Sequence, residues 1–308
     1  MIYSAAIKAK ARAVLQQHWQ TALLIALIVN LPTLVVQGLS RFTNNDLTQR
    51  LEDLLILAPG STEVMNTLPE RTGALLSESG ILVMLGLGLL AWLVTPALAL
   101  GMNHWTLDRI RGAEEPVSTV FSRLGIFFKS IGLRLLISLK VLLWMLPGIA
   151  VIVLSMVLLL RADVSSQEAI VSAANTSLML IWAGMIAMLV LGVMGHLYYA
   201  QADFILADEP EERVLSCTRR SKEMMTGRRG QLLGLLLSFA LWYLLVIFGS
   251  SAIAVMAGDV IGIMLQMLGS LFLSVYMLAS EGIFYEALRT APVQAPAGDA
   301  GEFTGQSE

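Results

Sequence analysis

The chain has 308 residues, of which 56% are hydrophobic and only 14% charged, with a mean hydropathy of +0.73 and a net charge of −3. A water-soluble globule of that composition would expose a very large apolar surface, so the outward side chains need lipid as their solvent. The small net charge gives no footing for nucleic acid or an acidic substrate, and the single cysteine, Cys217, excludes an intrachain disulfide or a multi-cysteine metal site.

The chain opens with Lys8, Lys10 and Arg12 ahead of an apolar run. The basic stretch is long and no small-x-small cleavage site follows, so an uncleaved first span is expected over 21–39. Further apolar stretches long enough to cross a bilayer lie at 81–103, 135–160, 177–199, 232–253 and 261–279. The last two are separated by a tight turn at Gly258-Asp259. An outside loop is expected over 40–80, with a short amphipathic helix carrying Leu47, Leu51, Leu54 and Leu55 behind Asn44-Asn45-Asp46. Pro32 and Pro147-Gly148 are expected to kink their spans. Close helix packing accounts for Gly86-x-Gly88, while Gly230-x-x-x-Gly234 and Gly258-x-x-x-Gly262 match the small-residue packing motif, which is common by chance in glycine-rich spans. The tail over 291–308, rich in Ala, Pro and Gly, has no periodicity and is expected to be disordered in the cytoplasm.

Charge position orients the spans. With the N-terminus inside, sixteen of the 20 basic residues fall in cytoplasmic segments and only Arg41, Arg50, Arg71 and Arg161 fall outside. The fold class is an all-α integral membrane bundle of six spans in a bacterial inner membrane, both termini cytoplasmic. Lys140, near the cytoplasmic start of the third span, is expected to snorkel to the headgroups.

The chain also resembles itself. A shift of 94 positions aligns Gly101 with Gly195 and Ala113-Glu114-Glu115-Pro116 with Ala207-Asp208-Glu209-Pro210; a shift of 98 aligns Leu143-Trp144-x-Leu146 with Leu241-Trp242-x-Leu244. Both acidic-Pro blocks place a proline at the first position of an interfacial amphipathic helix. The first helix carries Val117, Val120, Phe121, Leu124, Phe127 and Phe128; the second carries Val214, Cys217, Met224 and Met225 and ends at Gly227. An N-terminal version presents Tyr3, Ile7, Ala11, Val14 and Leu15. A single transmembrane domain over 1–290 follows, in three parallel units of about 1–105, 106–200 and 201–290.

Several blocks resemble a family of uncharacterised bacterial membrane proteins, the domain-of-unknown-function family nine-seven-five. They are Ile205-Leu206-Ala207-Asp208-x-Pro210, Ser221-x-x-Met224-Met225-x-Gly227, Leu237-Ser238-Phe239-x-x-Trp242, Leu143-Trp144-x-Leu146-Pro147-Gly148-Ile149 and Phe284-Tyr285-x-x-Leu288. The chain differs in an insertion between Ile149 and about Gly195, and in Arg228-Arg229 where histidine-lysine is the pattern. The resemblance implies a multi-pass membrane protein and supplies no activity.

Catalytic motifs are absent from the sequence, and His18, His104 and His196 are scattered, so no cofactor, metal or catalytic residue is assigned. Lys8, Lys10, Arg12, Arg219, Arg220, Lys222, Arg228 and Arg229 are candidate contacts for lipid headgroups or a protein partner. Asp203, Asp208, Glu281 and Glu286 are a candidate polar network, with Arg219, Arg220, Arg228 and Arg229 available as partners for Asp203 and Glu281. The leading functional expectation is a non-enzymatic module that binds membrane lipids, a protein partner or a second copy of the chain. A transporter or channel, with Asn30, Gln37, Gln266 and the Pro147 bend as its polar path, is the first alternative. The second is a lipid-modifying enzyme at the inner surface, working through Asp203, Asp208 or Glu286.

Overall fold

The computed structural model describes residues 4–36, 79–161 and 166–290, which are helical with short turns and contain no strand. Tyr3, Gln37, residues 40–78 of the expected loop with its short helix, and the 291–308 tail lie outside the described residues, and the last two loop positions open a helix. Six helices are long and apolar enough to cross a membrane, as the hydropathy runs require. The protein is a multi-pass, all-helical membrane protein.

Helix α1 (Ser4–Leu15) leads through a turn into the first spanning helix, α2 (Trp19–Val36). Helix α3 (Ser79–Ile110) is followed by a 3-10 run over Val117–Ile126 that continues directly into α4 (Phe127–Leu160). Helix α5 (Gln167–Tyr199) starts at Ser166, whose side chain accepts a hydrogen bond from the Ala169 amide. Short α6 (Ala202–Asp208) and α7 (Val214–Met224) precede α8 (Arg229–Ala257) and α9 (Asp259–Arg289). Gly258 makes the turn between the last two at φ +98°, a conformation that favours glycine.

Several helices overrun the expected spans. A 34-residue helix such as α4 is about 50 Å long against about 30 Å of hydrocarbon, so its ends project into the headgroup layers.

Among the prolines, those of the acidic-Pro blocks depart from expectation. Helix α4 runs without interruption through Pro147, and Gly148 is used for close approach: a Cβ there would lie 2.6 Å from the Met188 amide nitrogen and 2.8 Å from the Gly184 carbonyl oxygen. Pro116 sits one residue before the 3-10 run in an extended conformation. Pro210 is not at a helix start; it lies inside a turn closed by the Glu212 amide donating to the Glu209 carbonyl, where its fixed φ suits the second position. The expected α-helix after Pro116 is a 3-10 run, consistent with the low helix propensity of Val117, Thr119, Val120 and Gly125. Its backbone presses onto α3 at Gly101, where any side chain would collide with the Val120 carbonyl.

Among the glycine pairs, Gly262 packs against Ser250 and Ala254, but Gly86, Gly88, Gly230 and Gly234 have no described neighbour within reach of an added Cβ. Those four are therefore not packing glycines among the described residues.

One buried cluster joins α1, α2, α3, α8 and α9 around Ile25, Trp105, Phe239 and Phe284. A second surrounds α6, with Phe204, Ile205, Leu206, Cys217 and Tyr285 fully buried. The α4–α5 hairpin is tied by the Ser155 hydroxyl donating to the Ser177 carbonyl at 2.8 Å, while Leu154, Met156, Met179 and Ile186 remain on the outside, as a lipid-facing surface requires.

Candidate functional site

The chain gathers its polar groups at one end, where the last turns of α3, α5, α6 and α9 meet α1 and α7. Two arrangements there differ in charge.

The first is closed. Just past α3, Arg111 spans two carboxylates: Nη1 and Nη2 donate to Asp208 Oδ1 and Oδ2 at 2.7 and 2.9 Å, and Nε donates to Glu286 Oε1 at 2.7 Å. Asp208 closes α6 and Glu286 lies in the last turn of α9, so one guanidinium joins three elements. Arg289 Nη1 reaches Asp208 Oδ2 at 3.1 Å, and the Tyr285 hydroxyl donates to the same oxygen at 3.2 Å. The hydrogen bonds to Asp208 and Glu286 outweigh partial burial and hold Arg111 more firmly protonated than a free arginine. Nearby, Arg220 is likewise stabilised as a cation, first by its 2.6 Å hydrogen bond to Glu209.

The expected acidic network is therefore half assembled. Asp208 and Glu286 share one cluster, with Arg111 and Arg289 as their cations. Asp203 lies 4.0 Å from Arg134, and Glu281 pairs with no cation among the described residues. Arg219 pairs instead with Glu223, four residues on, at 3.0 Å. The pairing of Arg111 leaves no periodic mark in the sequence, since its partners lie 97 and 175 residues away.

The second arrangement is open. Tyr198 and Tyr199, at the end of α5, form an aromatic floor for three cations from three other helices. Arg229, at the start of α8, places its guanidinium 3.5 Å from the Tyr198 ring centroid, and Lys222 Nζ of α7 lies 5.8 Å from it. Lys140 Nζ of α4 lies 4.9 Å from the Tyr199 ring and donates to Thr218 Oγ1 at 2.6 Å. Trp144 stacks on Tyr198 at 5.2 Å and packs against Gly195, where a Cβ would meet its ring at 3.1 Å. Lys140 thus turns toward a ring face and a hydroxyl of its own chain.

The remaining basic candidates are spread out. Lys10 and Arg12 are exposed on α1, and Arg228 caps α8. Lys8 lies 4.6 Å over the Phe239 ring, and burial lowers its ammonium below the usual lysine value. The apolar stripe of α1 is consumed inside the protein: Ile7, Ala11 and Leu15 are buried, and the Lys8 carbonyl accepts from the Tyr276 hydroxyl at 3.1 Å. On α7, Cys217 faces inward, and burial beside Glu212 pushes its thiol up to about 11. The segment after Pro116 divides its stripe: Val120 is buried against the core, whereas Phe121 at 47% and Phe128 at 86% exposure stay outside.

Between the spans, a cavity of about 350 Å³ is lined by Asn30, Thr33, Tyr243, Gln266, Ser270 and Ser274 among apolar neighbours. Thr33 also lines a second cavity of about 190 Å³, which reaches Thr95, Ser130, Arg134 and Asp203. No group of three or more metal-ligating side chains occurs among the described residues.

A family model described as a protein of unknown function, DUF975, matches residues 1–292. No curated protein and no solved structure matches the chain.

Proposed function

The chain belongs to the DUF975 family, and on that premise we propose a non-enzymatic module of the bacterial inner membrane that engages anionic phospholipid at its cytoplasmic face. The observation that carries this reading is the imbalance of charge at the polar end. Among the described residues, Lys10, Arg12, Lys222, Arg228 and Arg229 have no carboxylate partner. Each basic group near an anionic leaflet contributes about 1 kcal/mol of attraction. The exposed Phe121, Leu124 and Phe128 supply an apolar stripe beside that face, suited to the headgroup boundary.

The positive-inside pattern supports cytoplasmic termini, and the repeated Gly, aromatic and acidic-Pro blocks support three related units within one domain. The carboxylates offered for lipid-modifying chemistry are poorly placed for it. Asp208 and Glu286 are held in ion pairs, and Asp203 faces Arg134.

Transport of a small solute is a second reading, favoured by the two cavities that share Thr33 and bring Asn30 and Gln266 together.

One reconstitution addresses both. The purified chain is placed in phosphatidylcholine vesicles with or without phosphatidylglycerol, and unfolding temperature and release of entrapped solutes are measured. Stabilisation by phosphatidylglycerol alone is the expected result; equal stability in both lipids overturns the lipid reading. Release matching empty vesicles dismisses transport of the solutes tested.

A further inference from the structure

We infer that the cleft between α4, the end of α5, α7 and the start of α8 is a binding site for the phosphate of an anionic phospholipid, with Lys140, Lys222 and Arg229 as its cations. This rests on the lipid-engaging reading above and gives it a specific place.

Three features point to an anion. First, like charges converge without neutralisation: Lys222 and Arg229 both lie over Tyr198 and Lys140 lies over the adjacent Tyr199, and none of the three pairs with a carboxylate among the described residues. Glu223, the carboxylate next to Lys222 in sequence, is turned to Arg219 at 3.0 Å. Converging cations repel one another, and an anion between them reverses the sign of that interaction. Second, Arg229 Nε is buried without an acceptor, and unmade hydrogen bonds of that kind are costly. Third, α8 begins at Arg229 with no side chain capping its N-terminus, so its first amides and the positive end of its dipole face the same region.

The cations are also held in advance. Tyr198, Tyr199 and Thr218 fix their directions, which lowers the entropy lost when a ligand binds.

Two features select a lipid over a free phosphate. The tyrosines end a membrane-spanning helix, the depth at which headgroups lie. Farther along the same helices that carry Lys140 and Arg229, Leu143, Leu146, Leu237 and Leu241 are exposed at 58%, 48%, 58% and 74%, an apolar track for acyl chains. A soluble phosphate would use the cations and leave that track unused.

The test is native mass spectrometry of the full purified chain titrated with phosphatidylglycerol or phosphatidylcholine. Lys140→Gln/Lys222→Gln/Arg229→Gln is compared with Lys10→Gln/Arg12→Gln/Arg219→Gln, which removes the same formal charge elsewhere. The cleft variant is expected to lose at least about tenfold in phosphatidylglycerol affinity, and the control, which removes only general attraction at the same face, about threefold. Equal losses overturn the site while leaving the general lipid reading intact. A wild-type chain that binds both lipids equally overturns site and reading together. Displacement of phosphatidylglycerol by low-millimolar inorganic phosphate assigns the cleft to the free ion and overturns the lipid. If the triple variant fails to fold, Lys222→Gln alone, at an exposed position, is expected to lower affinity about threefold; no change there overturns the proposal.

Discussion

Two charged regions at the same end of the molecule have opposite designs. In the knot of Arg111, Asp208, Tyr285, Glu286 and Arg289, two cations meet two carboxylates and a phenol, and α3, α6 and α9 are joined. In the cleft of Lys140, Lys222 and Arg229, cations from three helices meet only ring faces and a threonine hydroxyl. Charges neutralised within the chain fasten it together, whereas charges gathered without neutralisation await a counter-charge from outside. Total charge would not distinguish the two; arrangement does.

Breaking the knot is expected to have the largest effect on stability. Asp208→Ala leaves Arg111 and Arg289 facing each other at a site where the Asp208 side chain is only 9% exposed. A loss of about 3 kcal/mol is expected, moderated by the partial exposure of both arginines. Denaturant titration in detergent micelles measures it, and a loss no larger than that of a surface substitution would remove the knot from the stabilising framework.

A second experiment sharpens the contrast through Cys217, which shares its buried cluster with Tyr285 of the knot. With the thiol raised to about 11, thiolate is about one part in a thousand at pH 8, and maleimide labelling of the native chain is slow. Labelling speeds up as pH approaches 11, because a raised thiol pKa keeps the unreactive protonated form across the neutral range. Asp208→Ala is expected to accelerate labelling at pH 8 and Lys222→Gln to leave it unchanged. The same rate in all three would mean that the knot does not close the core around α7.

The smallest effect belongs to the turn that delivers Arg228 and Arg229 to the cleft. Gly227 has φ +73°, so Gly227→Ala is expected to cost about 1 kcal/mol, and Gly227→Asn less because asparagine tolerates that conformation better. Comparing the two unfolding midpoints checks the order.

The spans were readable from the chain because solvation by lipid acts on each stretch separately. A run of leucine, isoleucine and valine has the same partition preference wherever it ends up, and all six such runs appear as spanning helices. Gly258 was legible as a turn for a similarly local reason, and Asp208 and Glu286 as members of a polar network. Their partners were not, and neither was the place of Tyr198 beneath two cations. Likewise α1 and the segment after Pro116 carry similar apolar stripes, yet Ile7, Ala11 and Leu15 of the first all pack into the core, while the second buries Val120 and leaves Phe121, Leu124 and Phe128 outside. Periodicity says that a face is apolar; packing chooses what covers it.

Hydropathy and the amide hydrogen bond acting along the chain were enough to specify a helical membrane protein of six crossings. Which guanidinium meets which carboxylate, and where three cations are left facing only aromatic rings, was settled by folding. Coulomb interactions depend on distances in space, and groups separated by 97 or 175 positions acquire those distances only when the helices assemble.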